Sequence, residues 1–187
     1  MRVIIESLTR PDVEGMKAAV SRLADGPEGA AAGADDVRIE LLVTGGMPGQ
    51  RIQFRASIPA GGAASVSHLD DLHGVSEEYS ATVPADELST LARHLDVEAL
   101  MALPPNADER YVPDSVLGSV VITAANTRIT LRFAVEEGTP AADEEVAMRI
   151  DLGHGPFVLR AATVPAEVRP VLAQLATVVN RLSTARS

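Results

Sequence analysis

Val37-Arg38-Ile39-Glu40-Leu41-Leu42-Val43-Thr44 and Arg51-Ile52-Gln53-Phe54-Arg55-Ala56-Ser57-Ile58 read as the two arms of one hairpin. Val37, Ile39, Leu41 and Val43 recur at every second position, as do Ile52, Phe54, Ala56 and Ile58, and mostly polar residues fill the gaps. Side chains alternate across a strand, so this period of two gives each arm one apolar face to set against a core. Gly45-Gly46-Met47-Pro48-Gly49 interrupts the alternation, and a glycine-rich break between two alternating runs is the signature of a hairpin turn.

Two pieces of this region recur downstream. Arg51-Ile52-Gln53-Phe54-Arg55 is echoed by Arg128-Ile129-Thr130-Leu131-Arg132, and Ala81-Thr82-Val83-Pro84-Ala85 returns identically as Ala162-Thr163-Val164-Pro165-Ala166. The offsets, 77 and 81, are close. They predict a duplicated strand-strand-strand-helix unit, with a first half over 37–103 and a second over 114–183. The fold class expected is α+β, an antiparallel sheet with two helices on one face, each half completing the core of the other.

The elements around the first hairpin follow from period and punctuation. Tyr79, Ala81 and Val83 suggest a third strand, and Leu88, Leu91 and Leu95 a helix begun by the acidic pair Asp86 and Glu87. Pro59 to Ser76, polar and rich in small residues, reads as a long loop. In the second half, Ser119–Ile122 and Arg128–Phe133 form a hairpin about Ala125-Asn126. Val146, Met148, Ile150 and Leu152 alternate, Gly153-His154-Gly155 turns, and Phe157–Ala161 follows. Val171, Leu172, Leu175, Val178, Val179 and Leu182 mark a closing helix that starts near Pro170. Upstream, Arg2 to Leu8 reads as a strand and Val13, Met16, Val20 and Leu23 as a helix stripe after Pro11-Asp12. Residues 1–23 are thus expected as a strand-helix extension, 24–36 as a linker and 184–187 as a tail.

Composition narrows the chemistry. The 187 residues contain no cysteine and no tryptophan, so disulfides, iron-sulfur clusters and thiolate zinc sites are excluded. Twenty-six acidic against sixteen basic residues give a net charge of −10. That field repels phosphate backbones and anionic lipid, and aromatic residues at 3% leave few stacking platforms for single strands. No run approaches the length of about 18 apolar residues that a membrane span requires. The chain is expected to be soluble and cytoplasmic, a monomer or homodimer, with a protein partner, no nucleic acid, no membrane and no cofactor.

No catalytic constellation stands out. A Gly-x-Ser-x-Gly elbow is lacking, and the glycines at 45–49 precede a strand rather than the helix that a phosphate loop needs. His68-Leu69-Asp70-Asp71-Leu72-His73 holds His68, Asp70, Asp71 and His73, residue types able to bind a divalent metal, although nothing in the loop composition would fix their geometry. His94 and His154 read as solvated. The acidic pairs Asp35-Asp36, Glu77-Glu78, Glu136-Glu137 and Glu144-Glu145 are expected in linkers and at strand ends. Pro104-Pro105 through Tyr111, Val112, Pro113 and Asp114 is a crossover between the halves.

Thr44-Gly45-Gly46-Met47-Pro48-Gly49, the helix end Ala99-Leu100-Met101-Ala102-Leu103-Pro104 and Pro113-Asp114 ahead of the second hairpin occur in an order that resembles the emfourin-like proteins. These are small bacterial inhibitors of protealysin-type, thermolysin-like metalloproteases. The resemblance covers Val37 to Leu182 and leaves the first 36 residues without a counterpart. It implies a non-enzymatic protease inhibitor; because loops displayed on a rigid scaffold usually carry contact residues, Gly45, Gly46, Met47, Pro48 and Gly49, with Met47-Pro48 as the apolar tip, are expected to make the contact, with the Ala60–Ser76 segment second. Two alternatives stand beside it: an accessory protein that associates through an edge strand such as Arg2 to Leu8, and a metal-dependent hydrolase built on His68 to His73.

Overall fold

The computed structural model describes residues 1–7, 11–26, 37–46, 50–103, 116–153 and 155–184. The expected hairpin is present. β2 (Arg38–Gly45) and β3 (Ile52–Pro59) pair antiparallel, with Ile39 opposite Ile58 and Val43 opposite Phe54. Ile39, Leu41, Val43, Phe54, Ala56 and Ile58 are all buried, as the period of two requires.

The Pro59–Ser76 stretch departs from its expectation as a loop. It closes a short turn, with the Gly62 N–H donating to the Pro59 carbonyl at 2.9 Å, and then forms β4 (Ala63–Asp70). Ala64, Val66, His68 and Asp70 point into the core from β4. Alanine, serine, histidine and aspartate mask the alternation that valine or isoleucine would display, and burial by neighbouring elements decides their conformation. β5 (Val75–Thr82) then pairs with β4 and ends the sheet.

Pro84 leads from β5 into α2 (Ala85–Arg93), and α3 (Val97–Ala102) follows, capped by Asp96 through the Ala99 N–H. The second half opens with β6 (Val116–Ala124) and β7 (Thr127–Glu137), joined by Ala125 and Asn126 at positive φ, as a type I′ turn demands. β8 (Val146–Asp151) and β9 (Pro156–Arg160) form a further hairpin. A 3-10 turn over Ala161–Thr163 then leads into α4 (Arg169–Thr184). Each half therefore runs four strands and then a helix; the first half has one strand more than expected, and the second has the four read from its periods. The two copies of Ala-Thr-Val-Pro-Ala occupy corresponding places, at the passage from the fourth strand of a half to its helix. β2 and β6 lie side by side and antiparallel at the seam.

The sheet has nine strands in the order β5-β4-β3-β2-β6-β7-β9-β8, with β1 (Arg2–Ser7) also on β7. The eleven-residue β7 serves two partners on one edge, pairing with β1 over Thr127–Arg132 and with β9 at Glu136 and Glu137. The segment expected as an N-terminal extension belongs to this sheet and core. α1 (Val13–Ala24) buries Met16, Ala19, Val20 and Leu23 in the same apolar cluster as α2 and α4, so the helix of the expected extension joins the two expected on the sheet. Asp12 fixes the start of α1: its carboxylate accepts from Gly15 N–H at 2.8 Å, and its own N–H donates to the buried Thr127 Oγ1 at 2.7 Å. Most of the 24–36 linker, Pro104–Asp114 and residues 185–187 lie outside the described residues. No helix among the described residues is long and apolar enough to cross a membrane.

Candidate functional site: two hairpin tips at one end of the sheet

The register brings two sequence candidates together. Gly45 is opposite Ile52, Ile52 opposite Asp70 and Asp70 opposite Val75, so the β2–β3 connection and the β4–β5 turn leave the same end of the sheet on adjacent hairpins. Arg51 and Asp71 join them: the Asp71 N–H donates to the Arg51 carbonyl at 3.0 Å, and Arg51 Nε donates to Asp71 Oδ2 at 3.1 Å. Gly46 begins the first tip at φ +94°, with its missing Cβ direction only 1.9 Å from the Gln50 carbonyl oxygen, so a side chain there would strain the backbone and clash. Gly45 closes β2; Met47, Pro48 and Gly49 lie outside the described residues.

The second tip is held from within. Asp70 is buried, and its two carboxylate oxygens accept from the His73 backbone N–H at 3.1 Å and from His73 Nδ1–H at 2.7 Å. This closes the four-residue turn in the manner of an Asx turn. Burial pushes the Asp70 carboxyl up, but the His73 ring and the backbone N–H groups of His73 and Leu72 outweigh it, and the net position is below the ordinary carboxylate value. One residue pair further in, His68 is 2% exposed and meets the Phe54 ring edge to face at 6.0 Å between centroids. The consequence at the surface is Leu72, 58% exposed at the apex of a fixed turn.

The four candidate metal ligands are not gathered. Strand alternation sends His68 and Asp70 into the core face, Asp71 turns to Arg51, and His73 closes on Asp70. No group of three or more His, Asp or Glu side chains able to hold a metal occurs among the described residues. His94 is an exposed C-cap of α2, while His154 and the Asp35-Asp36 pair lie outside the described residues. Glu77-Glu78 sits inside β5 rather than in a linker, and Glu136 and Glu144 both bind Arg160, at 2.6 and 2.8 Å. Elsewhere there are shallow concavities, the one between α1 and α3 being about 230 Å³ and occupied at its rim by the Lys17–Glu98 pair.

Leu72 was not marked by sequence reasoning. Its signal was available in Asp70-x-x-His73-Gly74, the spacing of a closed turn, but the loop reading of its surroundings hid it. Compared with known proteins, the chain matches no family model and no curated sequence.

Proposed function

We propose that this chain is a non-enzymatic protein-binding module that offers the paired tips, Gly45–Gly49 and Asp71–Gly74, to the surface of a partner. The most concrete form of this reading is inhibition of a thermolysin-like metalloprotease. A single observation carries it: Leu72 projects into solvent from a turn whose backbone and carboxylate contacts leave it little freedom. A turn backbone fixed in advance leaves only the side chain itself to be ordered on docking, which favours a contact residue at the centre of an interface. Arg51, at the base of the neighbouring β2–β3 connection, is tied to Asp71 and widens the contact.

Titration of a thermolysin-like protease with the purified protein tests the reading. Stoichiometric inhibition is expected, with Leu72→Asp weakening it at least tenfold while the thermal transition stays in place. Steady degradation of the chain with no inhibition would refute it. A clean dimer by light scattering in that case moves the reading to an accessory protein associating through a sheet edge, since among the described residues β1 and β5 each pair with a strand on one side only.

A further inference from the structure

The sheet face turned away from the helices carries a charge opposite to that of the chain. Across β2 to β7 its rows place Arg38 beside Thr123 and Arg128, and Arg55 beside Leu42, Ser119 and Arg132. The described charged side chains of these rows are those four arginines with Glu40 and Glu78, which sum to +2. The chain as a whole is −10, so the remainder carries −12. Arg55 donates to Glu40 at 2.6 Å, whereas Arg38 and Arg132 have no ion pair among the described residues. Glu136, past the end of β6, is already held by Arg160.

The face is also recessed. Ser57, Val121 and Thr130 are 6%, 6% and 5% exposed, and Val121 lies outside the apolar cluster under the helices. Thr130 is flanked two residues away on each side by Arg128 and Arg132, and Ser57 by Arg55, so the arginine stems rise around a low floor. On the β2 to β5 part of this face lies a basin of about 160 Å³, lined by Arg38, Arg55, Ser57, Ser65, Ser67 and Glu78 among others. A polar outer face is ordinary for an antiparallel sheet. An inverted charge over a hydroxyl-lined floor is not accounted for by solvation alone.

We propose that this face binds an acidic, extended segment of a partner protein. The inference is independent of the hairpin-tip reading. Arg55 and Arg132 stand on strands separated by three inter-strand steps, roughly 14 Å. Carboxylates on one side of an extended chain recur about every 7 Å, and those four residues apart stand about 14 Å apart. The planar guanidinium donates two parallel hydrogen bonds to a carboxylate, and serine and threonine hydroxyls supply neutral donors between the charges. The mean field of the protein repels an acidic peptide, so its capture would have to come from this face.

Fluorescence polarisation with a labelled oligo-glutamate peptide of about ten residues, long enough to cross the arginine array, tests this on the full chain. Controls are an oligo-lysine peptide and a single-stranded oligonucleotide of similar length. The acidic peptide is expected to bind, with affinity falling as salt rises, and the double variant Arg38→Glu/Arg132→Glu to weaken it at least tenfold. The milder Arg38→Gln/Arg132→Gln pair is expected to weaken it in the same direction with an unaltered thermal transition, which separates loss of binding from loss of folding. No binding of the acidic peptide, binding unaffected by both variants, or tighter binding of the oligonucleotide would overturn the proposal. So would concentration-dependent self-association abolished by the same variants, which would assign the face to a second copy of the chain.

Discussion

A methyl group in place of the Gly118 hydrogen would sit 2.1 Å from Cε2 of Phe133, the residue directly opposite on β7. The ring lies over the glycine because nothing else there projects from the sheet, and Val43 on the other side of Gly118 is likewise buried. Gly118→Ala is therefore expected to destabilise the fold by about 1–3 kcal/mol, the usual cost of overpacking a filled core. Chemical denaturation measures it. Adding Phe133→Leu should recover part of the loss through the room it opens, and a double-mutant cycle without coupling would count against the packing explanation. Neither residue attracts notice in the sequence, where Gly118 only opens a run of β-branched residues. Its role exists because register sets it opposite a phenylalanine.

At the level of elements, the β4–β5 hairpin links stability to pH through its own turn. Asp70 titrates lower in the fold than in the unfolded chain. Its contacts with His73 therefore stabilise the protein fully above the ordinary carboxylate range, and that contribution is lost as pH falls through the depressed folded value. Thermal melts from neutral pH downward should show this loss. In Asp70→Asn the acid-dependent portion should shrink, and in His73→Ala burial acts without its main opponent, so the Asp70 carboxyl should titrate higher by NMR. An Asp70 resonance unmoved by His73→Ala would contradict this coupling. Elements with clear periods were legible in advance: β2 and β3, the β6–β7 hairpin at Ala125-Asn126, α1 with its Asp12 cap, and the long stripe of α4. β4 was not, since small and polar residues fill both of its faces and the residues that make it a strand, Ala64, Val66, His68 and Asp70, become apolar-facing only when other elements cover them.

For the molecule as a whole, the first 26 residues should be indispensable. β1 completes the edge of β7 along Thr127–Arg132, and α1 covers β6 and α2 with Met16, Ala19, Val20 and Leu23, each 4% exposed or less. Burial of those four side chains contributes on the order of 5–8 kcal/mol, comparable with the roughly 5–15 kcal/mol of net stability of an ordinary domain. Deletion of residues 1–26 should abolish the cooperative calorimetric transition. A truncated protein melting as the full chain does would mean that the remaining halves suffice. The sequence by itself determined the α+β class, most of the strands and helices, and the doubling of the Arg-Ile-x-x-Arg and Ala-Thr-Val-Pro-Ala segments, because period, turn residues and caps are local properties of the chain. Only the tertiary structure decided that β2 and β6 meet at the seam, that β9 rather than β8 joins β7, that β1 and α1 enter the same core, and that the β2–β3 and β4–β5 connections leave the same end of the sheet. These are pairings between segments far apart in the chain, selected by which edges and apolar faces remain to be covered once the local elements have formed.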